Sequence, residues 1–309
     1  MGRNFNLDEI PDMTGKVCIV TGGNTGIGKI CVQELAKKNA HVIVASRTPS
    51  KGQAVVDEVK ESTKNDKVEF MQLDLLSLSS VSAFIQSFKD KNLPLHLLLN
   101  NAGVMSCPFT LSEDGIEAQF ATNHVAHYYL TTQLLPILEK SQPSRVVNVS
   151  SLAHKYIFWN GLVLDDMNDE SKYNKHMAYG RSKAANILFT RELTRKLEDS
   201  GDKYKNVYVN TNHPGAVSTE LTRHNESMTM SVMRRLFFIA PEDGAKTQLY
   251  LATSPEIEKK NIKGKYFVPY GDESVPNKHA ASQENQTKLW DFTENLLKEK
   301  VPGYTGANI

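Results

Sequence analysis

The 309-residue sequence has almost no net charge, few cysteines and no long apolar run. Its 36 basic and 35 acidic residues leave a formal charge of +1, so no overall field draws nucleic acid or an anionic membrane toward it. Nucleic acid is therefore not an expected partner. The three cysteines, Cys18, Cys31 and Cys107, fall in a predicted strand, a helix and a loop, with no CxxC pair and no framework spacing, which suits a reducing compartment. No run of ~18 apolar residues occurs, so no integral membrane segment is expected, and the N-terminal MGRNFNLDEIPDM lacks the apolar core of a signal peptide. Asn6 stands where a myristoylation pattern needs Ser or Thr. Together these absences predict a cytoplasmic location. No linker composition divides the chain, so one domain is expected over 11–301, with an N-terminal extension at 1–10 and a tail at 302–309.

What is present is an alternation of short apolar runs with helical patterns. KVCIVT (16–21), HVIVAS (41–46), VEFMQLD (68–74), LHLLLNN (95–101), RVVNVSS (145–151), VYVNTNHPG (207–215) and KYFV (265–268) read as strands. Their nearly continuous hydrophobicity suits strands buried on both faces of a parallel sheet. Amphipathic stretches such as IGKICVQELAKKNA lie between them. The fold class expected is α/β: a doubly wound, Rossmann-type parallel sheet of about seven strands with helices on both faces. Ligands in such sheets sit at the carboxyl ends of the strands.

TGGNTGIG (21–28) follows the first strand and opens the first helix, the setting a dinucleotide-binding glycine loop requires. Gly22 permits the tight turn, Gly26 the approach of a pyrophosphate and Gly28 the close packing of the helix, whose N-terminus presents free N–H donors. The second strand ends in Ser46-Arg47, with no carboxylate for a ribose 2′-hydroxyl. A guanidinium there, with Lys51 one turn on, suits a 2′-phosphate, so NADP(H) is expected over NAD(H). Asp74 is read either as an acceptor for the adenine amino group or as a helix cap. In AYGRSK, Tyr179 and Lys183 share a helix face at i and i+4, which puts an ammonium beside a phenol of ordinary pKa ~10. That charge is expected to lower the phenol pKa and ready it for proton exchange with an alcohol oxygen. Alternation along VVNVSS turns Ser150 and Ser151 to opposite sides. His124 and His127 lie at i and i+3 without a third ligand, so they are read as structural and no metal is expected.

Six motifs in this order, TGGNTGIG, NNAG (100–103), ATNHVAHYYLT (121–131), VVNVSS (146–151), YGRSK (179–183) and HPGAVSTEL (213–221), resemble the short-chain dehydrogenase/reductase superfamily over about Pro11 to Val301. The entry MTGKV, with NNAGVM and VNVSSLAH, is similar to its retinol dehydrogenase-like and WW-domain oxidoreductase-like branch. The resemblance implies a catalytic set of Asn123, Ser151, Tyr179 and Lys183. Tyr179 would act as general acid/base, and Ser151 would hold the substrate oxygen. Lys183 would bind the nicotinamide ribose, and Asn123 would anchor a water leading to solvent. Cofactor contacts would come from Gly22, Asn24, Thr25, Gly26, Ile27 and Gly28, then Arg47, Lys51, Asp74 and Leu75. Further along, Asn101, Ala102, Gly103, Tyr179, Lys183, Pro214, Gly215, Val217 and Thr219 would complete the set. One departure is length: 28 positions separate Ser151 from Tyr179, more than in many members.

The stretch 216–240 would cover the substrate, and its Met228, Met230, Met233, Phe237 and Phe238 suggest a lipophilic alcohol or carbonyl: retinoid, apocarotenoid, steroid or a simpler aldehyde or ketone. Arg234 and Arg235 leave peripheral membrane contact open. The helix bearing Tyr179 carries an apolar stripe, open to either a homodimer interface or burial within one chain. A non-catalytic NADP(H) sensor is the alternative function, and intact Tyr179 and Lys183 weigh against it.

Overall fold

In the computed structural model, which describes residues 4–158, 162–215 and 239–309, the apolar runs become strands. These are β1 (Val17–Thr21), β2 (His41–Ser46), β3 (Val68–Gln72), β4 (Leu97–Asn100), β5 (Ser144–Val149), β6 (Val207–Asn212) and β7 (Tyr266–Val268). An eighth, β8 (Asp272–Ser274), joins them in one sheet of order β3-β2-β1-β4-β5-β6-β7-β8. The first seven run parallel and β8 returns antiparallel along β7. Its three residues, Asp-Glu-Ser, include nothing apolar, so hydrophobic patterning does not mark it. Strand pairing also stops short of the predicted ends, at Gln72, Asn100, Val149 and Asn212. The polar residues that follow leave the ladder and become the loops of the site.

The helices are α1 (Gly26–Lys37), α2 (Pro49–Thr63), α3 (Leu78–Asp90), α4 (Ala118–Phe120), α5 (Ala126–Lys140) and α6 (Lys175–Asp199). After them come α7 (Pro241–Thr253), α8 (Glu256–Lys259), α9 (Lys278–Ala281) and α10 (Gln283–Lys300). Successive strand residues point to opposite faces. Ile19, Ile43, Leu98 and Val146 therefore join Val81, Phe84, Leu130, Leu134, Leu188 and Phe189 of α3, α5 and α6 in one core. Val20, Val44, Leu99 and Val147 join Val32, Leu35, Val55, Val56 and Leu249 of α1, α2 and α7 in the other. Each such fully buried side chain contributes about 1.5–3 kcal/mol from the loss of water contact.

Both ends of the chain pack on these cores. The Phe5 ring lies 5.6 Å from that of Tyr250, and Ile10 is buried. Tyr304 lies 5.5 Å from Tyr129, with its hydroxyl 2.6 Å from Glu294 Oε1. The apolar stripe of α6 is buried within the chain: α10 brings Trp290 to 5.0 Å from Tyr128 and 6.2 Å from Phe189, and Tyr128 donates to Glu294 at 2.7 Å. No helix among the described residues is long and apolar enough to cross a membrane.

The strand order reverses between β1 and β4, and the loops after these two strands carry TGGNTGIG and NNAG. A crevice opens where neighbouring crossovers depart to opposite faces, which is where α/β sheets bind ligands.

Candidate active site

Thr21 closes β1, and the chain turns through Gly22 at φ +64° before α1 starts at Gly26, φ +53°. Both angles lie in the left-handed region that a side chain disfavours. At Gly28 space is the constraint: a Cβ there would lie 2.3 Å from Gly22 O and 2.5 Å from Asn101 Nδ2. Thr25, at the N-cap, makes no side-chain hydrogen bond to the first turn of α1. Those N–H groups point out of the helix end beside half-buried Asn24 and Ile27. A glycine cradle with a bare helix terminus fits the pyrophosphate of a dinucleotide.

The loop after β4 is fastened to this cradle. Asn101 N and Ala102 N both donate to Thr21 Oγ1 at 3.0 Å, and Asn101 Nδ2 donates to Thr21 O at 2.9 Å. Gln248 of α7 donates to Asn101 Oδ1 at 3.1 Å. Gly103 then passes so close to the catalytic set that a Cβ on it would sit 3.0 Å from Asn123 Oδ1 and 3.2 Å from Lys183 Nζ. Apolar pattern marks neither Thr21 nor Gln248; a strand-ending Thr that gathers two backbone donors is visible only in three dimensions.

The four candidate catalytic residues converge from three segments. Asn123 lies in a π turn, Ala121–Val125, between α4 and α5, fully buried. Its Oδ1 accepts from Val104 N at 2.8 Å, and its Nδ2 donates to Val104 O and Ser182 Oγ, both at 2.9 Å. Such one-turn widenings of a helix often mark functional positions. Asn174 caps α6 by accepting from His176 N and Met177 N, which sets the helix phase that places Tyr179 and Lys183 on one face. After β5 the two serines separate as alternation requires. Ser150 Oγ turns inward and donates to Lys183 O at 2.6 Å, while the half-buried Ser151 side chain lies near the Tyr179 phenol and accepts from Ala153 N at 3.2 Å.

Electrostatics depart from the sequence expectation. Lys183 Nζ donates to Val149 O at 3.0 Å and lies 5.8 Å from the Tyr179 ring centroid. Burial, only partly offset by the nearby Ser151 side chain, pushes the Tyr179 phenol up to about 12, and burial alone pulls Lys183 down to about 8. Removal from water dominates both groups, so the phenol here holds its proton firmly.

The nucleotide end is more open. Ser46 is buried, and its Oγ has no hydrogen-bond partner among the described residues; Arg47 and Lys51 beside it are exposed. Asp74 Oδ1 accepts from Leu76 N at 3.0 Å, so this carboxylate caps the turn into α3, and the Leu75 side chain packs in the core. Gly215, at φ +98°, follows Pro214 and donates its N–H to His213 Nδ1 at 3.1 Å. Val217, Thr219 and the Met/Phe-rich stretch lie outside the described residues.

Two histidines lie buried beside the site. His124 Nε2 meets Thr293 Oγ1 at 3.2 Å, and His127 bridges Thr21 and Asn123. Burial holds His124 down to about 3 and His127 to about 4. Above the ordinary value near ~6.5 both folded and unfolded chains carry neutral imidazoles; as pH falls toward 4, only the unfolded chain takes up these protons. Stability should therefore fall by about 3 kcal/mol per pH unit over that window, about 1.4 from each ring. Urea midpoints measured at pH 7 and pH 5 test this, and a His124→Gln chain should show the shallower slope. Equal midpoints at both pH values would contradict the assignment.

Residues 16–163 match the model of the short chain dehydrogenase family. The chain is 40% identical over 292 residues to the short-chain dehydrogenase TIC 32 A, chloroplastic, of Brassica napus, covering 92% of this chain and 89% of that one. It is 38% identical over 303 residues to human retinol dehydrogenase 14, covering 92% and 87%. A crystal structure of an uncharacterised Mycobacterium paratuberculosis protein superposes with a TM-score of 0.75 at 32% identity, covering 96% of this chain and 98% of that one. The glycine cradle and near-full-length similarity to these relatives lead to one conclusion: the chain belongs to the short-chain dehydrogenase/reductase superfamily, in its retinol dehydrogenase-like branch, and is an NAD(P)-dependent oxidoreductase.

Proposed function

We propose that this protein is an NADP(H)-dependent alcohol dehydrogenase/carbonyl reductase acting on a lipophilic small molecule. The observation that carries the cofactor preference is the end of β2, where a buried, unpartnered Ser46 hydroxyl stands beside exposed Arg47 and Lys51 with no carboxylate. A 2′-phosphate finds two exposed cations there; a carboxylate would repel it. Apolar surface at the lip supports the substrate class: Leu152 and Tyr156, 49% and 51% exposed, follow directly after Ser151. The named activity of the relatives on retinol, a long apolar alcohol, supports the same reading.

A bound nicotinamide supplies hydride to, or takes it from, the substrate carbon. In the reducing direction the Ser151 hydroxyl holds the carbonyl oxygen and Tyr179 gives it a proton. A phenol held up near 12 is the acid form throughout the neutral range. Lys183, its ammonium held by Val149 O, lies where it can meet a ribose hydroxyl, and Asn123 fixes the Val104 backbone that walls this space. Ser151 near the Tyr179 phenol supports turnover over a role limited to sensing the cofactor.

The test is NADPH oxidation against retinal, apocarotenoid ketones, steroids and simple aldehydes, with NADH in parallel. Arg47→Ala should raise KM for NADPH about tenfold to a hundredfold, the worth of charge-assisted hydrogen bonds to one phosphate, and leave KM for NADH nearly unchanged. An equal effect on both cofactors would remove Arg47 from the 2′-phosphate site.

A further inference from the structure

His127 is 2% exposed, lies on the first turn of α5, and touches two parts of the site that are far apart in sequence. Its Nε2 is 2.9 Å from Thr21 Oγ1, and its Nδ1 is 3.2 Å from the Asn123 carbonyl oxygen. The Asn123 carbonyl decides which nitrogen carries the proton: a carbonyl oxygen only accepts, so Nδ1 donates to it and the neutral ring keeps no proton for Nε2. Thr21 Oγ1 accepts from Ala102 N at 3.0 Å and from Asn101 N, which it shares with Leu99 O at 2.9 Å. Its own proton then goes to an acceptor, either Nε2 at 2.9 Å or Leu99 O at 3.4 Å, and the nearer is the imidazole. Nε2 is therefore bare, and Nδ1–H donates to the Asn123 carbonyl.

The hydrogen bonds run from the Asn101 and Ala102 amides through Thr21 and His127 to the Asn123 backbone carbonyl. The Asn123 side chain separately donates to Ser182 Oγ, which donates to the Tyr179 carbonyl at 2.8 Å. Thr21, Asn123 and Ser182 are each fully buried, so no water competes for these groups. Burial and the nearby Lys183 charge keep the imidazole neutral, which the chain of donors requires.

We propose that His127 is a positioning residue for the reaction: as a neutral Nδ1–H imidazole it ties the Asn123 turn to the Thr21-held loop between the glycine cradle and the proton-transfer residues. The inference deepens the oxidoreductase reading and rests on it for its kinetic consequence. Displacing Asn123 shifts the wall beside Gly103 and Lys183, and misplacement of about 1 Å costs a reaction about a hundredfold.

Three substitutions separate the two ends of the ring. His127→Asn puts an amide nitrogen where Nδ1 stood and keeps the donor to Asn123. His127→Gln puts its amide nearer the Nε2 position and keeps a partner for Thr21. His127→Phe keeps the ring and neither bond. Expected is a fall in kcat of about tenfold to a hundredfold in His127→Phe, a smaller fall in His127→Asn and His127→Gln, each of which keeps one of the two bonds, and NADPH affinity within about threefold throughout. In parallel, ¹⁵N-histidine NMR of the wild-type chain, with the His127 signal assigned by its loss in a variant, should show the Nδ1–H tautomer. An Nε2–H tautomer, or wild-type kcat in His127→Phe, overturns the proposal. Should His127→Phe fail to fold, the Asn and Gln variants and the wild-type tautomer still decide it. Absence of wild-type turnover on every carbonyl tested would instead sink the oxidoreductase reading, while the tautomer would still decide the hydrogen-bonded chain.

Discussion

Tyr179→Phe should abolish carbonyl reduction, lowering kcat by about a thousandfold, while NADPH still binds and the fold survives. The substitution removes only the hydroxyl. The polar side chain near it is Ser151, half-buried and open to water, so little stability is at stake. Chemistry loses its proton donor, and positioned general acids contribute about a hundredfold to ten-thousandfold. The pH dependence carries a sign that follows from burial. A phenol pushed up to about 12 keeps its proton through the neutral range, so the reduction rate should be flat from about pH 6 to about pH 7 and fall above that as the Lys183 ammonium, pulled down to about 8, loses its proton. Alcohol oxidation needs the phenolate, so its rate should rise with pH over the same range. Residual reduction within about tenfold of wild type would take Tyr179 out of the acid role.

Gly28→Ala should destroy cofactor binding and destabilise the chain, although helix propensity alone favours alanine there by about 1 kcal/mol. The new methyl would stand 2.3 Å from Gly22 O and 2.9 Å from Gly22 C, both backbone atoms of the glycine loop, and 2.5 Å from Asn101 Nδ2. The loop after β4 cannot withdraw without breaking its connections to Thr21. Overpacking of this kind costs about 1–3 kcal/mol, and the strain falls on the turn that would hold the pyrophosphate. NADPH affinity should drop at least about a hundredfold, with a lowered Tm. Gly115→Ala is the contrast. A Cβ at Gly115 meets nothing within 4 Å and only the φ of +75° opposes it, so it should cost about 1–2 kcal/mol and leave the cofactor untouched. Equal NADPH affinity in Gly28→Ala and wild type would contradict the cradle.

Much of the arrangement was legible before any coordinates. Strands buried on both faces have to be apolar almost throughout, so KVCIVT, HVIVAS and RVVNVSS announce themselves. A glycine loop between strand and helix, and a Tyr and Lys one helical turn apart, follow from local geometry. Alternation separated Ser150 from Ser151, and the structure turns them to opposite sides as expected. What stayed hidden has no local signal. The β8 strand contains no apolar residue and exists through its pairing with β7. The π turn at Asn123 sits inside a continuous helical pattern.

The sequence by itself determined which residues could do the chemistry and in what order they come, because strand and helix periodicity and glycine freedom act over a few neighbours. Tertiary structure alone decided their electrostatics and their alignment. Burial raised the Tyr179 phenol where adjacency to Lys183 predicts lowering, because desolvation depends on everything packed around a group and not on its chain neighbours. Whether the α6 stripe meets a second chain or its own was likewise settled by α10, about 100 residues further along, bringing Trp290 onto it. His127 became more than a core histidine only once folding set Thr21 on one side of its ring and the Asn123 carbonyl on the other.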